Sequence, residues 1–189
     1  FVFMGVMLER SRLADQLLQS LAQLMRGTPG GLGIAVVLVG AMMAASTGIV
    51  GATVVTMGLI SLPTMLKKGY SAEISTGTIC AAGTLGQIIP PSIILILLGD
   101  VLSNAYQKAQ LDMGIFSPET LSVGDLFVGA IIPGLMLVVF YIIYLVFISF
   151  SSNVMIPPVK NSGAAHHQNL FIRTIKALVP PLLLMLAVL

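Results

Sequence analysis

Charged residues are scarce in this chain. They make up 8% of its 189 residues, whereas hydrophobic residues make up 57%. A soluble domain carries about 25% charged residues, and the mean hydropathy of this chain is +1.03. The scarcity of charge therefore excludes an ordinary soluble domain and predicts an integral membrane protein. The formal net charge of +2 is too small to indicate a nucleic-acid partner.

Residues that carry catalytic chemistry are also scarce. Cys80 is the single cysteine, so no disulfide framework exists. No His, Asp or Glu lies in the middle of an apolar run, which disfavours an intramembrane protease or a proton relay. The chain has no GxxxxGK[ST] motif for an ATPase, and His166-His167 has no Cys or carboxylate neighbours for a metal site. We predict that the protein is not an enzyme and has no organic cofactor.

Alternation of apolar and polar stretches divides the chain into segments. The chain begins without Met and stops inside an apolar run, so we expect a fragment of a longer protein. In chain order we predict the end of a spanning helix (1–8), an amphipathic surface helix or linker helix (10–26), a re-entrant hairpin (32–66), a broken transmembrane helix (71–102), a loop (103–124), a transmembrane helix (126–150), a second loop (151–172) and the start of another transmembrane helix (174–189).

The hairpin is predicted from length and charge. Residues 32–66 contain no charged residue. One helix of that length would far exceed a hydrocarbon core of about 30 Å, and two full spans with a turn need somewhat more residues. The sequence Ser46-Thr47-Gly48 provides the turn. Two shorter legs that enter and leave on one side fit this run best.

The distribution of basic residues supports the same topology. If 32–66 enters and leaves on one side, that side holds Arg10, Arg12, Arg26, Lys67, Lys68, Lys160, Arg173 and Lys176. The opposite side, with loop 103–124, holds Lys108 and several acidic residues. Basic residues concentrate on the cytoplasmic side of membrane proteins. Loop 103–124 is therefore predicted to be extracytoplasmic.

The sequence GTLGQIIPPS at 83–92 interrupts an apolar run with glycines, an amide and two prolines. Proline removes a backbone N–H and clashes with the preceding turn of a helix. Broken backbone at membrane depth is tolerated where it is buried in protein or lines a cavity, and transporters bind ions and substrates at such breaks. Gln87, the amide of this run, fits an interhelical hydrogen bond and a substrate contact equally well. Glycine, serine and threonine in membrane helices also serve close packing.

Two long motifs resemble a known family. The sequences GAMMAASTGIVGATVVTMGLISLPTMLKKGY (40–70) and GTLGQIIPPSIILILLGD (83–100) resemble the large membrane (M) subunit of tripartite ATP-independent periplasmic (TRAP) transporters. The motifs LER (8–10), PGG (29–31) and GDLFVGAIIPG (124–134) fit the same pattern, whereas loop 103–122 is less typical of it.

The resemblance implies an all-α integral membrane protein of the bacterial inner membrane. Its fold would be an elevator-type transporter repeat with a re-entrant helical hairpin and a discontinuous transmembrane helix. Sodium would be the coupling ion and the only metal. The implied sodium-site residues are Ser46, Thr47, Gly48, Gly83, Thr84 and Gly86. The implied border of the substrate cavity runs from Gln87 through Pro90 and Pro91 to Ser92.

The resemblance also implies partners and a substrate class. The partners would be a small membrane (Q) subunit and a periplasmic solute-binding (P) subunit. The substrate would be a small organic anion, such as a C4-dicarboxylate, sialic acid or a similar carboxylate. The alternatives are a carrier that works without a binding protein, and a channel or scaffold subunit with a pore loop.

Thiol labelling tests the predicted topology. In the full-length protein, cysteines at Gly69 and Ser162 should react from the cytoplasm, and a cysteine at Asp112 should react from outside, because basic residues concentrate on the cytoplasmic side. Labelling of the Gly69 and Asp112 positions from the same side would overturn the hairpin topology.

Overall fold

The computed structural model describes residues 13–25, 28, 30–117, 119–150 and 179, and their side chains except those of 13, 15 and 44–47. Regular structure in these residues is entirely helical. The elements are α1 (Leu13–Leu24), α2 (Gly31–Thr47), α3 (Val50–Lys67), α4 (Ala72–Thr84), a 3-10 turn (Leu85–Gln87), α5 (Ile93–Asp112) and α6 (Val123–Phe150). The predicted segments 1–8, 151–172 and 174–189, and the ends of 10–26, lie outside this description, apart from residue 179.

Helix α2 is the centre of the structure. It is apolar around its whole circumference, as expected for a helix that is covered on all sides. It contacts α1, α3, α4, the 3-10 turn and α6. Ala35, Val36 and Val39 are completely buried. Helix α1 covers one side of α2 with its own apolar face, which contains Leu17 and Leu21.

Helices α2 and α3 form the predicted hairpin and are joined by Gly48 and Ile49. Gly48 has φ +62°, a left-handed conformation that costs glycine little, so the chain can reverse within two residues. The two legs contain 17 and 18 residues, or about 26 Å each. Among the described residues, Val50–Lys67 and Val123–Phe150 are long and apolar enough to cross a membrane, and Gly31–Met43 is a shorter apolar helix. The re-entrant path stays a prediction.

Helix α4 packs against both legs of the hairpin through small residues. A Cβ built on Gly40 of α2 would lie 2.6 Å from the Cβ of Ala82. A Cβ built on Gly83 would lie 3.2 Å from the Cα of Val54 in α3 and would overlap the Val54 side chain. Real Cβ atoms essentially never come within 2.6 Å of another atom, and 3.2 Å is closer than most of their contacts. The glycines therefore allow helix backbones to approach closely, which is their usual role in membrane helices.

The predicted loop at 103–124 is wrong for its first part. Helix α5 continues to Asp112, because Ser103–Asp112 contains no glycine or proline that would end it. It ends at Gly114, which has φ +79°. The N–H of Gly114 donates to Leu111 O at 2.9 Å and the N–H of Ile115 donates to Gln110 O at 3.0 Å. This pair of bonds is a Schellman motif, which terminates helices at a glycine.

Two glycines of α4 provide a matched stability test. Gly83→Ala should lower the melting temperature of the full-length protein, because overpacking against the Val54 backbone costs about 1–3 kcal/mol. Gly77→Ala is the control, since a Cβ there meets nothing within 4 Å. Alanine at that position should be neutral or stabilise the helix by up to about 1 kcal/mol. Equal melting temperatures for the two variants would contradict the close α3–α4 contact.

Candidate functional site

The candidate site lies in the connection between the end of α4 and the start of α5. Helix α4 ends at Thr84, the 3-10 turn follows, and α5 begins at Ile93. The N–H groups of Ile88 and Ile89 both donate to the carbonyl of Leu85, at 3.0 and 2.8 Å. Pro90 and Pro91 follow, and the peptide bond between them is cis. The helix is thus interrupted over the motif that the sequence singles out.

Ser92 closes the break. It is completely buried and is the N-cap of α5, where its Oγ accepts from the N–H of Leu95 at 3.3 Å. Its hydroxyl also donates to the carbonyl of Gln87 at 2.7 Å. The Ser92 side chain therefore pairs the Leu95 N–H at the start of α5, as a serine N-cap usually does. It also pairs the carbonyl of Gln87, which the end of the preceding helical segment leaves free.

Gln87 joins the break to the hairpin tip. Its Nε2 donates to the carbonyl of Gly48 at 3.0 Å. Of the two interpretations left open by the sequence, the structure shows the interhelical hydrogen bond. The Oε1 atom of Gln87 is buried and has no hydrogen-bond partner among the described residues. An unpaired buried acceptor is costly, so this oxygen is available to a bound ion or a donor group.

The tip also contacts the proline pair. A Cβ built on Gly48 would lie 3.2 Å from the carbonyl oxygen of Pro91. Gly48, Gln87, Pro91 and Ser92 are therefore neighbours, although Gly48 is remote from the other three in sequence. This neighbourhood unites the predicted sodium-site and substrate-cavity segments at one point.

The other predicted site residues are placed differently. Gly83 is buried against Val54, so it has the packing role described above. Thr84 is exposed, and its Oγ1 donates to the carbonyl of Ala81 at 2.8 Å, which leaves its oxygen lone pairs free to accept. Gly86 is buried within the 3-10 turn. Ser46 and Thr47 form the last turn of α2, next to Gly48, and their side chains lie outside the described atoms.

One neighbouring hydroxyl was not predicted. Thr53 lies in the first turn of α3 and is completely buried, and its Oγ1 donates to Ile49 O at 3.0 Å. The sequence contains one indication of this residue, since Thr53 is a hydroxyl residue in the apolar run that follows the tip. Only the folded hairpin shows that its hydroxyl supports the backbone of the tip.

The chemistry of the site is that of neutral oxygen. It contains the carbonyls of Gly48 and Pro91 and the Oε1 of Gln87. No group of three or more His, Cys, Asp or Glu that could hold a metal occurs in the described part of the chain. Carbonyl, amide and hydroxyl oxygens suit hard cations rather than transition metals. Such sites at broken helices are known for alkali ions in transporters.

A family profile for the tripartite ATP-independent periplasmic transporter, DctM component, matches residues 1–189. The chain belongs to this DctM family. It is therefore a helical membrane protein of the large permease type of TRAP transporters, and the resemblance read from the motifs is confirmed.

Individual DctM proteins show the same relationship. The C4-dicarboxylate TRAP transporter large permease protein DctM of Rhodobacter capsulatus is 33% identical over 142 residues, which cover 72% of this chain and 30% of that protein. The isethionate TRAP transporter permease protein DctMQ of Oleidesulfovibrio alaskensis is 31% identical, over 72% of this chain and 19% of that protein. The ectoine TRAP transporter large permease protein TeaC of Halomonas elongata is 30% identical, over 77% and 30%. The chain thus spans about a third or less of these relatives.

The bond between Gln87 and Gly48 can be tested by thiol reactivity. In a Cys80→Ala background, a cysteine at the exposed tip residue Ile49 reports how often the tip opens. Gln87→Leu should raise the labelling rate about two- to tenfold, because a net hydrogen bond contributes about 0.5–1.5 kcal/mol.

Gln107→Leu is the matched control for this variant. Among the described residues, the Gln107 side chain bonds within its own helix, through Nε2 to Ser103 Oγ at 3.3 Å. The control should leave the Ile49 labelling rate unchanged. If Gln87→Leu also leaves the rate unchanged, the bond does not hold the tip.

Proposed function

We propose that this chain is part of the permease subunit of a sodium-coupled secondary transporter. The transporter imports a small organic anion, which a periplasmic solute-binding protein delivers and a small membrane subunit helps to carry. The observation that carries this proposal is the meeting of the hairpin tip with the helix break, through Gln87 and Gly48, in a DctM-family chain. The protein would lie in the bacterial inner membrane.

The depth of the site supports the proposal. Helix α4 contains 13 residues, or about 20 Å, between the polar turn at Ser71 and the break. The first leg of the hairpin is about 26 Å long from Gly31 to its tip. If both begin at one membrane surface, the tip and the break meet inside a hydrocarbon core of about 30 Å. A carbonyl-lined site at that depth is shielded from bulk water.

The oxygen set supports sodium as the coupling ion. The oxygens of the site are neutral, and the described part of the chain has no group of three or more His, Cys, Asp or Glu. A monovalent cation needs less charge compensation at such oxygens than a divalent one. The Oε1 of Gln87 lacks a partner among the described residues. The hydroxyl of Thr84 donates to Ala81 and keeps its acceptor lone pairs. Thr47 and Ser46 are adjacent to the tip in sequence and complete the proposed ligand set.

The substrate class is supported by the helix end at the break. The N-terminus of α5, capped by Ser92, carries partial positive charge, which favours an anion nearby. The names of the relatives show that large permeases of this family serve C4-dicarboxylate, isethionate and ectoine transporters. We propose a small carboxylate or similar organic acid for this chain.

The close packing of α4 on both legs of the hairpin supports an elevator movement. The hairpin and α4 are joined by backbone-to-backbone packing at Gly40 and Gly83, and by the bond from Gln87. Because these contacts are closely packed, the hairpin and α4 are expected to move as one body rather than to separate. The hairpin and the broken helix would therefore form one unit that carries the site across the membrane.

Sodium dependence tests the ligand set. In the full-length complex, Thr84→Ala and Thr47→Ala should each raise the sodium concentration for half-maximal uptake about tenfold or more. One lost hydrogen-bond-type contact to a charged group costs about 1.5–3 kcal/mol. High sodium should restore much of the uptake rate, because the defect is in ion affinity.

Thr76→Ala is the matched control. Thr76 is exposed on the same helix, and its hydroxyl donates to Ala72 O at 2.8 Å, like that of Thr84 to Ala81. It lies about 12 Å from Thr84 along the helix. An equal shift in sodium dependence for Thr76→Ala would mean that the effect is general damage to α4, and the ligand assignment would fail.

A further inference from the structure

Helix α5 extends well beyond the start of α6. A Cβ built on Gly99 would lie 3.8 Å from the Cα of Val123, the first residue of α6. Gly99 is therefore level with the point where α6 begins. Helix α5 continues from there to Asp112, which is about 20 Å of further helix. Because α5 is one continuous helix, its second half continues past the start of α6 in the same direction.

The chain then returns along the side of this extension. Gln110 is buried and holds the returning segment, with its Oε1 accepting from the N–H of Glu119 at 2.8 Å and its Nε2 donating to the carbonyl of Glu119 at 3.4 Å. The Schellman motif at Gly114 fixes the reversal. The extension and the return, residues 100–117 and 119–122, form one element that we name the projection.

The projection exposes apolar side chains. Leu102, Tyr106, Ala109 and Met113 follow the i, i+4 and i+3 spacing of one helix face and are all exposed. Phe116, in the return, is 96% exposed. Scattered single apolar residues are normal on a surface, whereas a continuous apolar face indicates an interaction site. This face starts about 5 Å beyond the level of Val123 and extends outward to about 21 Å beyond it, where lipid tails are not expected.

The charge of the projection and of its base indicates the kind of partner. Residues 100–125 carry a net charge of −3, from Asp100, Asp112, Glu119 and Asp125 against Lys108, and all five are exposed. Asp100 and Asp125 lie near the base, where α6 begins, and Asp112 and Glu119 lie towards the outer end. A complementary surface is apolar at its centre and basic at its rim. Extracytoplasmic surfaces of a membrane protein are poor in Lys and Arg. A separate soluble protein supplies such a rim more readily than the permease itself.

We propose that the projection is a docking surface for the soluble solute-binding protein, with Tyr106, Met113 and Phe116 as its apolar contacts. This inference rests on the proposed function for the identity of the partner and for the side of the membrane. The partner would present an apolar depression rimmed by Lys or Arg. The acidic rim would speed the encounter, and the apolar face would hold the complex.

Binding measurements test the proposal. The full-length permease complex is placed in nanodiscs, and the affinity of the purified solute-binding protein is measured by interferometry. The double variant Tyr106→Asp with Met113→Asp should raise Kd at least tenfold. Leu111→Asp is the control and should stay within twofold, since Leu111 is exposed on the same projection but lies on a different face of α5. Raising NaCl from 50 to 500 mM should weaken binding to the unmodified complex.

The outcomes separate the two proposals. If the unmodified complex does not bind the solute-binding protein at all, the proposed function fails and the docking surface fails with it. If the unmodified complex binds and the double variant binds equally well, only the docking surface fails. Elution with the small membrane subunit on a sizing column shows that the variants are folded.

Cross-linking distinguishes the solute-binding protein from other molecules that could cover the apolar face of the projection. A benzoylphenylalanine at Phe116 in whole cells should cross-link to the solute-binding protein, and one at Leu111 should not. Cross-linking from position 116 to lipid, to a second copy of the permease or within the permease chain would overturn the proposal.

Discussion

The structure depends on one constraint: backbone groups at membrane depth need hydrogen-bond partners inside the protein. In the break between Thr84 and Ile93, a small number of residues satisfies the backbone N–H and C=O groups. Pro90 and Pro91 have no N–H to satisfy, and Leu85 accepts from two N–H groups at once. Ser92 serves the carbonyl of Gln87 and the N–H of Leu95. The helix can therefore stop inside an apolar run at low cost, and oxygen atoms become available there.

The same constraint explains how the break and the hairpin tip become one site. A hairpin tip leaves backbone carbonyls without helical partners, and the carbonyl of Gly48 is paired by the side chain of Gln87. The close packing at Gly40 and Gly83 brings α4 near enough to both legs for that bond to form. Small residues thus set the distance between the helix backbones, and at that distance the amide of Gln87 reaches the carbonyl of Gly48. Ion and substrate chemistry is proposed at the point where both meet.

Helix α5 connects the site to the projection. Its N-terminus is capped by Ser92 at the break, and its C-terminus ends at the Schellman motif of the projection. A contact made at the projection would bear on the same rigid helix that begins at the site. This continuity is a physical route by which the proposed docking at the projection and the proposed binding at the break can influence each other. It follows because Ile93–Asp112 is one helix without a proline, in which Gly99 is accommodated.

Composition, apolar runs and motifs were sufficient to predict a helical membrane protein, its family, a hairpin turning near Gly48 and a break at 83–92. These are local properties: a proline pair interrupts a helix and a glycine permits a reversal whatever surrounds them. Sequence did not predict that Gln87 would bond to Gly48, that Gly83 would pack on Val54, or that 103–112 would be helical. The first two depend on which backbones come together. The third was within reach of the sequence, since 103–112 contains no glycine or proline, but its polar side chains favoured a loop prediction. Contacts between residues distant along the chain are decided by packing, so only the tertiary structure contains them.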